Sequence, residues 1–580
     1  MGNEPSVLYL SASQDIHGRC ERNVLKESQQ TNKLNHMKLH SIYKSIILLI
    51  GLTLAMSSCE SFLDENPQDE KTTGQFWKTE SDAITGVNAL YFGGVPYLHN
   101  IDVDGGWTPK ATMWGGVMSG LFVDKRKDRT FTNASEGANF NIESFDATSQ
   151  KMWTEFYIGI SRANFVIANI PTMTDVLSEA QIANFVAQGK FFRAYAYSYL
   201  VKEYGGVPYI DKPYTSLEGI YVERTPAEQV YENIEADLLE IIGGNALPNV
   251  AFYANGGYVT RPMAQTLLAQ VYLQWAGAPV NGGNEYYAKA AAMAQNVING
   301  GQHALIQPNG SSTDLNSAYN VIKTTKSSNE IIFAKEYNQT SFNVGNSYAV
   351  RSIGTDAFQW KNANNESVFK PGGDVLYNAY LPSNVLINSY HPSDVRSMEK
   401  QFFFSEYTDA TGVSHTLNNL GNWAWFDAGS LVNGRNGDYN MPIFRYAEVL
   451  LIAAEGLART GNEADARGYL NQVRRRAGLA NETASGDALI QSILTERFHE
   501  FPLEFKIWDD IRRTRLYPEA DGMQSGRLRW VPLASAAIQN KPDGTTRVGA
   551  IPEYALLWPI PLSEMQANTA LEGNQNPGWN

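Results

Sequence analysis

Between Trp153 and Ile170 the residues Phe156, Ile160, Ala163, Val166 and Ile167 return at spacings of three and four, an apolar stripe that an α-helix gathers onto one face. The same period runs through Ala180 to Tyr204, where Ile182, Phe185, Val186, Phe192, Tyr195, Ala196, Tyr199 and Leu200 carry it. It continues through Pro226 to Ile242, through Met263, Leu267, Val271, Tyr272 and Trp275 after Thr260, and through Tyr286 to Ile298. The punctuation agrees. Pro171 ends the first helix, Gly205-Gly206 the second, and Thr260 is placed to cap a helix with Pro262 in its first turn and Gly277 at its close. A shorter helix is expected over Glu80 to Tyr91, and a late set over Arg445 to Arg459, Asn462 to Ala477 and Gly486 to Phe501, with a turn at Gly461. Helices that come in successive pairs with matched apolar faces predict a mainly α fold on a tetratricopeptide-like helix-pair scaffold, although the pairs share no fixed period.

Between the helical blocks, from Gly301 to about Pro442, the pattern lapses. Asn, Ser and Gly are frequent there, and short apolar runs such as Ile331-Ile332-Phe333 read as strands. This large irregular, loop-rich insert is where a binding surface would be built. After Pro518 the chain reads as mostly loop. The body therefore divides into an N-terminal helical region over 79–300, the irregular insert over 301–442 and a C-terminal region over 443–580.

The longest apolar run, Ile46 to Met56, follows Lys38 and Lys44 and falls short of the ~20 residues that span a bilayer. It has the layout of a signal-peptide core. It leads into Ala55-Met56-Ser57-Ser58-Cys59, similar to the lipobox of bacterial lipoproteins, with Met56 where that motif usually has Leu. Residues 37–58, from Met37, are accordingly read as a lipoprotein signal peptide, Cys59 as the lipidated residue and 59–78 as its tether. Residues 1–36 have neither apolar periodicity nor a targeting pattern and are read as an over-extended start. Cleavage before Cys59 leaves it the sole cysteine, so no internal disulfide or cysteine metal cluster is expected. It also leaves 40 basic against 56 acidic residues, a net charge of −16. Attachment to a membrane then has to come from lipid and not from a basic patch. So acidic a chain has no footprint for nucleic acid, and Arg474-Arg475-Arg476 and Arg512-Arg513 are read as solvated or ion-paired helix faces.

Five stretches, in order along nearly all of the body, carry a family resemblance. They are Phe62-Leu63-Asp64 with Pro67; Tyr199-Leu200 through Tyr204-Gly205-Gly206-Val207-Pro208; and Arg445-Tyr446-Ala447-Glu448-Val449-Leu450-Leu451 with Ala454-Glu455. The fourth is Glu496-Arg497, Glu500, Glu504, Trp508, Asp510 and Arg512-Arg513, and the last runs from Pro559-Ile560-Pro561 through Glu564 and Asn568 to Gln575-Asn576-Pro577-Gly578-Trp579. Together with the lipobox they resemble the SusD/RagB family of Bacteroidetes nutrient-binding lipoproteins. Phe505 departs from it, standing where the family usually has Gly.

The resemblance implies a non-catalytic lipoprotein on the outer face of the outer membrane, which captures glycan and delivers it to a SusC-like TonB-dependent transporter. The matched acids and bases are read as structural pairs. A catalytic carboxylate pair would have to face a substrate from two sides, and here Arg, Lys and apolar residues intervene. Sugar rings lie on aromatic faces and offer hydroxyls to polar side chains. The candidates are therefore loop aromatics: Trp107 and Trp114 in the early Gly-rich loops, and Trp360, Trp423 and Trp425 in the insert, with Asn362, Asn364 and Asn365 as hydroxyl partners of a ring at Trp360. If extended, Trp423-Ala424-Trp425 would put both rings on one face. Ordinary burial is the competing account of each of these tryptophans, and it is the expected one for Trp153, Trp275 and Trp508. Two other classes stay open: a peptide ligand, as in the RagB branch, and a secreted hydrolase, for which no nucleophile elbow, zinc-binding His pair or phosphate loop is present and the eight His are scattered. No cofactor is expected, with a structural cation left open.

Overall fold

The computed structural model describes residues 76–91, 116, 119–123, 147–308, 317–338, 341, 345–346, 348–349, 352–370, 381–433, 437–504, 506–538, 547–548 and 551–579. The readings placed on 1–36, 37–58, Cys59 and nearly all of the 59–78 tether lie outside them, as does Phe505.

Ten helices carry the scaffold: α1 Glu80–Asn88, α2 Ala147–Asn169, α3 Glu179–Tyr204, α4 Ala227–Gly243, α5 Arg261–Ala276, α6 Gly283–Gly300, α7 Tyr446–Arg459, α8 Glu463–Arg476, α9 Gly486–Glu500 and α10 Ile507–Thr514. The local chemistry that starts and stops them is visible. Ser178 and Gln181 form a reciprocal capping box ahead of α3, each side chain accepting from the other's backbone N–H at 3.0–3.3 Å. Thr260 caps α5 by accepting from the Met263 N–H. Gly205 ends α3 at φ +72°, a conformation that favours glycine.

Neighbouring helices pack in sequence order, α2 on α3, α3 on α4, α4 on α5 and α5 on α6, and α7 then joins the stack by lying on α6 while α8 and α9 pack on α7. The α6–α7 contact is close because Gly456 sits against the Tyr287 carbonyl, where a Cβ would collide. The result is the expected mainly α helix-pair fold. One continuous apolar core takes in residues from Ala83 to Trp579, so all three stretches of the body contribute to it.

The insert is more ordered than its composition predicts. Strand β1 (Ile331–Lys335) pairs antiparallel with β4 (Met441–Arg445), and β2 (Phe403–Thr408) forms a hairpin with β3 (Ser414–Asn422). That hairpin carries its own small core of Ile353, Ala357, Val368, Phe369, Phe404, Leu417, Phe426 and Leu431. The stretch after Pro518 also departs from the loop expected of it: β5 (Leu516–Ala520) and β6 (Leu528–Pro532) pair, with Pro518 opposite Trp530. A two-stranded ribbon has two edges, which is where a sheet tolerates proline.

A clamp joins the end of α3 to the C-terminal region. Arg224 donates to the carbonyls of Tyr204, Gly206 and Asn574 and to Asn576 Oδ1, at 2.7–3.1 Å. Asn576 donates in turn to the Tyr204 and Trp558 carbonyls at 3.0 and 2.6 Å, and the Trp558 N–H donates to the Glu203 carbonyl at 2.7 Å. These bonds occupy carbonyls at the C-terminus of α3 that the helix itself leaves without partners.

Candidate functional site

The charged residues of the late motifs are buried and paired. Glu500, on α9, accepts from Arg445 at 2.9 Å, Arg396 at 3.1 Å and the Tyr319 hydroxyl at 3.2 Å, and also from Arg476. Arg396 holds Asp394 through two bonds of 2.9 and 2.7 Å and reaches Glu496 at 2.7 Å. Arg445 and Arg476 share Glu330 at 2.7 and 2.8 Å, and Arg445 also donates twice to Glu504. A second network ties Arg513 to Glu455 and Asp510, Arg497 to Asp510, and Arg512 to Glu203 and Asp509 at 2.5–3.0 Å. Burial pushes Glu500 upward, but Arg476, Arg445 and Arg396 outweigh it and hold its carboxyl at about 2. These groups are struts between α7, α8, α9, α10 and the insert, as the sequence reading had them, and most of their carboxylate oxygens accept from guanidinium groups. Among the described residues, no cluster of three or more His, Cys, Asp or Glu is placed to hold a metal.

The aromatic candidates separate. Trp107 and Trp114 lie outside the described residues. Trp360 is half-buried beside the β2–β3 hairpin. Tyr407 and His415 face one another across that hairpin, which puts their side chains on one face of it. Trp360 lies flat over both, with interplanar angles of 7° to Tyr407 and 13° to His415 and centroid distances of 6.4 and 4.8 Å. The platform is pinned from behind: His415 Nε2 lies 2.9 Å from Asp409 Oδ2, and the other oxygen of Asp409 accepts from the Thr411 hydroxyl and the Thr411 and Val413 N–H groups. His415 and Thr411 thereby hold the Asp409 carboxyl well below its ordinary range.

Asn362 shapes the turn after Trp360. Its carbonyl oxygen accepts from the Asn364 and Glu366 N–H groups and its amide donates to Glu366 Oε2, so both ends of the side chain are engaged. Asn364, Asn365 and Glu366 are exposed around it.

Trp423-Ala424-Trp425 is not extended but a 3₁₀ turn, which sends the two rings different ways. Trp423 is half-buried against Phe404 and Phe426 and donates its indole N–H to Asn320 at 2.6 Å. Trp425 enters the main core against Phe122 and Tyr348 and is 4% exposed, so it is a packing residue and presents no loop face. Trp153, Trp275 and Trp508 are buried, as expected.

Sequence reasoning missed Tyr407, His415, Tyr439 and Lys323, which surround the tryptophans it chose. A partial signal for the first two was there: Asp409-Ala410-Thr411-Gly412 has the residues of a hairpin turn, with Gly412 at φ +86°, although the run that follows it is polar.

The molecule is thus a helical-repeat scaffold, braced by buried charge, that carries an aromatic hairpin on a loop-rich insert. Residues 424–579 match the model of the SusD family and residues 118–273 match a model described as "Starch-binding associating with outer membrane". A SusD-like protein of Formosa agariphila is 26% identical over 548 residues, covering 92% of this chain and 99% of the relative. The crystal structure of a SusD superfamily protein from Parabacteroides distasonis superposes with a TM-score of 0.71 at 25% identity, covering 86% of this chain and 99% of the other. Surface glycan-binding protein A from Bacteroides thetaiotaomicron, in complex with laminarihexaose, has the same fold with a TM-score of 0.64 at 22% identity, over 86% and 100% of the two chains. The chain belongs to the SusD/RagB family.

Proposed function

We propose that this protein is a non-catalytic, lipid-anchored glycan-binding protein of the outer membrane that captures oligo- or polysaccharide at the cell exterior and delivers it to a SusC-like TonB-dependent transporter. The observation that carries the reading is Trp360, a half-buried indole laid parallel to Tyr407 and His415 beside a polar turn. A ring held flat in this way offers a preformed surface to the C–H face of a sugar, and the exposed Asn364, Asn365 and Glu366 stand where hydroxyls need partners. Relatives support it by what they hold, since one neighbour in fold is in complex with laminarihexaose and another is a laminarin-binding SusD-like protein. The family model's description supports the outer-membrane setting. Attachment by acylation at Cys59 is the anchor that the lipobox-like Ala55-Met56-Ser57-Ser58-Cys59 supports.

The test is calorimetric titration with laminarin and starch oligosaccharides and with a panel of peptides, on the wild type and Trp360→Ala. Glycan binding that weakens about tenfold in the variant, a loss of roughly 1.4 kcal/mol, supports the reading. Binding of peptides alone would move the protein to the peptide class, and release of reducing ends by the purified protein would make it a hydrolase.

A further inference from the structure

Asp409 is where the ring platform and the polar turn beside it meet. It is 8% exposed, lies between β2 and β3, and divides its two carboxylate oxygens between these two parts of the site. Oδ2 accepts from His415 Nε2–H at 2.9 Å, and Trp360 covers that imidazole at a centroid distance of 4.8 Å. Oδ1 accepts from the Thr411 hydroxyl at 2.6 Å and from the Thr411 and Val413 N–H groups at 2.8 and 3.2 Å. The Thr411 oxygen, its proton directed at Asp409, accepts in turn from the Ala363 N–H at 3.0 Å, within the turn that carries Asn362, Asn364, Asn365 and Glu366. One buried carboxylate thus reaches the stacked ring through His415 and the polar turn through Thr411. Asp409 and Tyr407 are the titratable groups that face the imidazole from the hairpin. Trp360 covers it from the 355–370 segment, whose Asp356, Lys361 and Glu366 engage Asn418, Ser367 and Asn362.

We infer that Asp409 is a positioning residue of the ligand platform: it fixes Trp360, through His415, and the polar turn, through Thr411, in one register without itself meeting the ligand. The inference rests on the reading of Trp360 as the ring that a glycan contacts. The chemistry of the pair makes it specific. A carboxylate only accepts, and an imidazole can offer it Nε2–H whether neutral or protonated. The platform therefore keeps its shape across the range in which imidazoles take up a proton. Asparagine in the same place has one acceptor and one donor group. With its oxygen kept on the Thr411 and Val413 donors, its NH2 faces His415, and only a neutral imidazole with its proton on Nδ1 can accept from it. Once the imidazole is protonated, two donors face each other; turning the amide round leaves the three turn donors facing its NH2 instead. A ring released in this way has to be ordered by the incoming ligand, which lowers affinity.

The experiment compares the full chain as wild type, Asp409→Asn and the double variant His415→Phe/Asp409→Asn at pH 8 and pH 5. Calorimetry with laminarin oligosaccharides reads affinity, and hydroxyl-radical footprinting, with no ligand present, reads oxidation of the Trp360 peptide by mass. Asp409→Asn should bind as the wild type does at pH 8 and about fivefold more weakly at pH 5, the size of one lost hydrogen bond. Its Trp360 oxidation, taken relative to wild type, should rise over the same interval. The double variant, which keeps a flat ring under Trp360 and has no imidazole to titrate, should show neither change. The pH 8 sample of Asp409→Asn controls for folding. An Asp409→Asn to wild-type ratio of affinity or of oxidation that is the same at both pH values overturns the inference, and so does a pH dependence that survives in the double variant. A wild type that binds no laminarin oligosaccharide refutes the glycan reading instead, and the oxidation ratios then decide by themselves whether Asp409 positions the ring.

Discussion

Replacing Glu500 with Gln tests whether the buried charges are architecture. The side chain is fully buried and accepts from Arg396, Arg445, Arg476 and Tyr319, so the substitution keeps the shape and removes one negative charge from among three guanidinium groups. The three arginines keep other acceptors, Asp394 and Glu496 for Arg396 and Glu330 for Arg445 and Arg476, which softens the loss. A carboxyl held at about 2 instead of 4.5 contributes about 3 kcal/mol of stability at pH 7. Breaking a buried pair by removing one partner costs a similar 3–5 kcal/mol, roughly. The sign follows from the direction of the shift. A depressed carboxyl stabilises the fold above its unfolded-state pKa and loses that contribution as pH falls through the folded value. The gap between wild type and Glu500→Gln should thus be about 3 kcal/mol at pH 7 and shrink to roughly half of that or less at pH 3. Urea unfolding followed by circular dichroism at the two pH values measures it. A gap below about 1 kcal/mol at pH 7, or one that stays constant to pH 3, would refute the strut account.

Other expectations follow from single contacts. Gly456→Ala drives a methyl into the Tyr287 carbonyl where α6 meets α7, so it should destabilise by about 1–3 kcal/mol despite alanine's better helix propensity; an unchanged or raised melting temperature would contradict that. Trp425→Ala empties a core site and should cost about 3–5 kcal/mol in thermal unfolding, more than Trp360→Ala, whose ring is only half-buried. Cys59→Ser should move the protein from the detergent phase to the aqueous phase on phase partitioning, and intact-mass analysis of the membrane-extracted wild type should show acyl chains.

The helices were legible because their signals are local. Capping residues such as Thr260, terminators such as Gly205 and apolar stripes of period 3.6 are written within one or two turns of chain, and the observed bounds fall close to those expected, the largest departure being the earlier start of α2 at Ala147. What the charged motif does was legible only in kind. That Glu500 meets Arg396, 104 positions away, is a fact of tertiary packing that no spacing records. Trp425 shows the limit most plainly. Its neighbours along the chain look like those of Trp423, and a single 3₁₀ turn sends one ring into the main core and the other to the hairpin. The hairpin itself was hidden by its polar composition, since β3 exposes several of its positions and so lacks a clean alternation.

The Arg224–Asn576 clamp sets an order of assembly. Asn576 meets the Tyr204 carbonyl across 372 positions, so a chain emerging from its N-terminal side can form only the Arg224 half of the seal on α3 while most of its length is still to come. Closure of that seam is among the most non-local events in the fold, and contacts of such span slow folding because the intervening chain must first be brought round. A nascent copy halted before residue 558 would own a full set of early helices and still lack the latch that holds them shut.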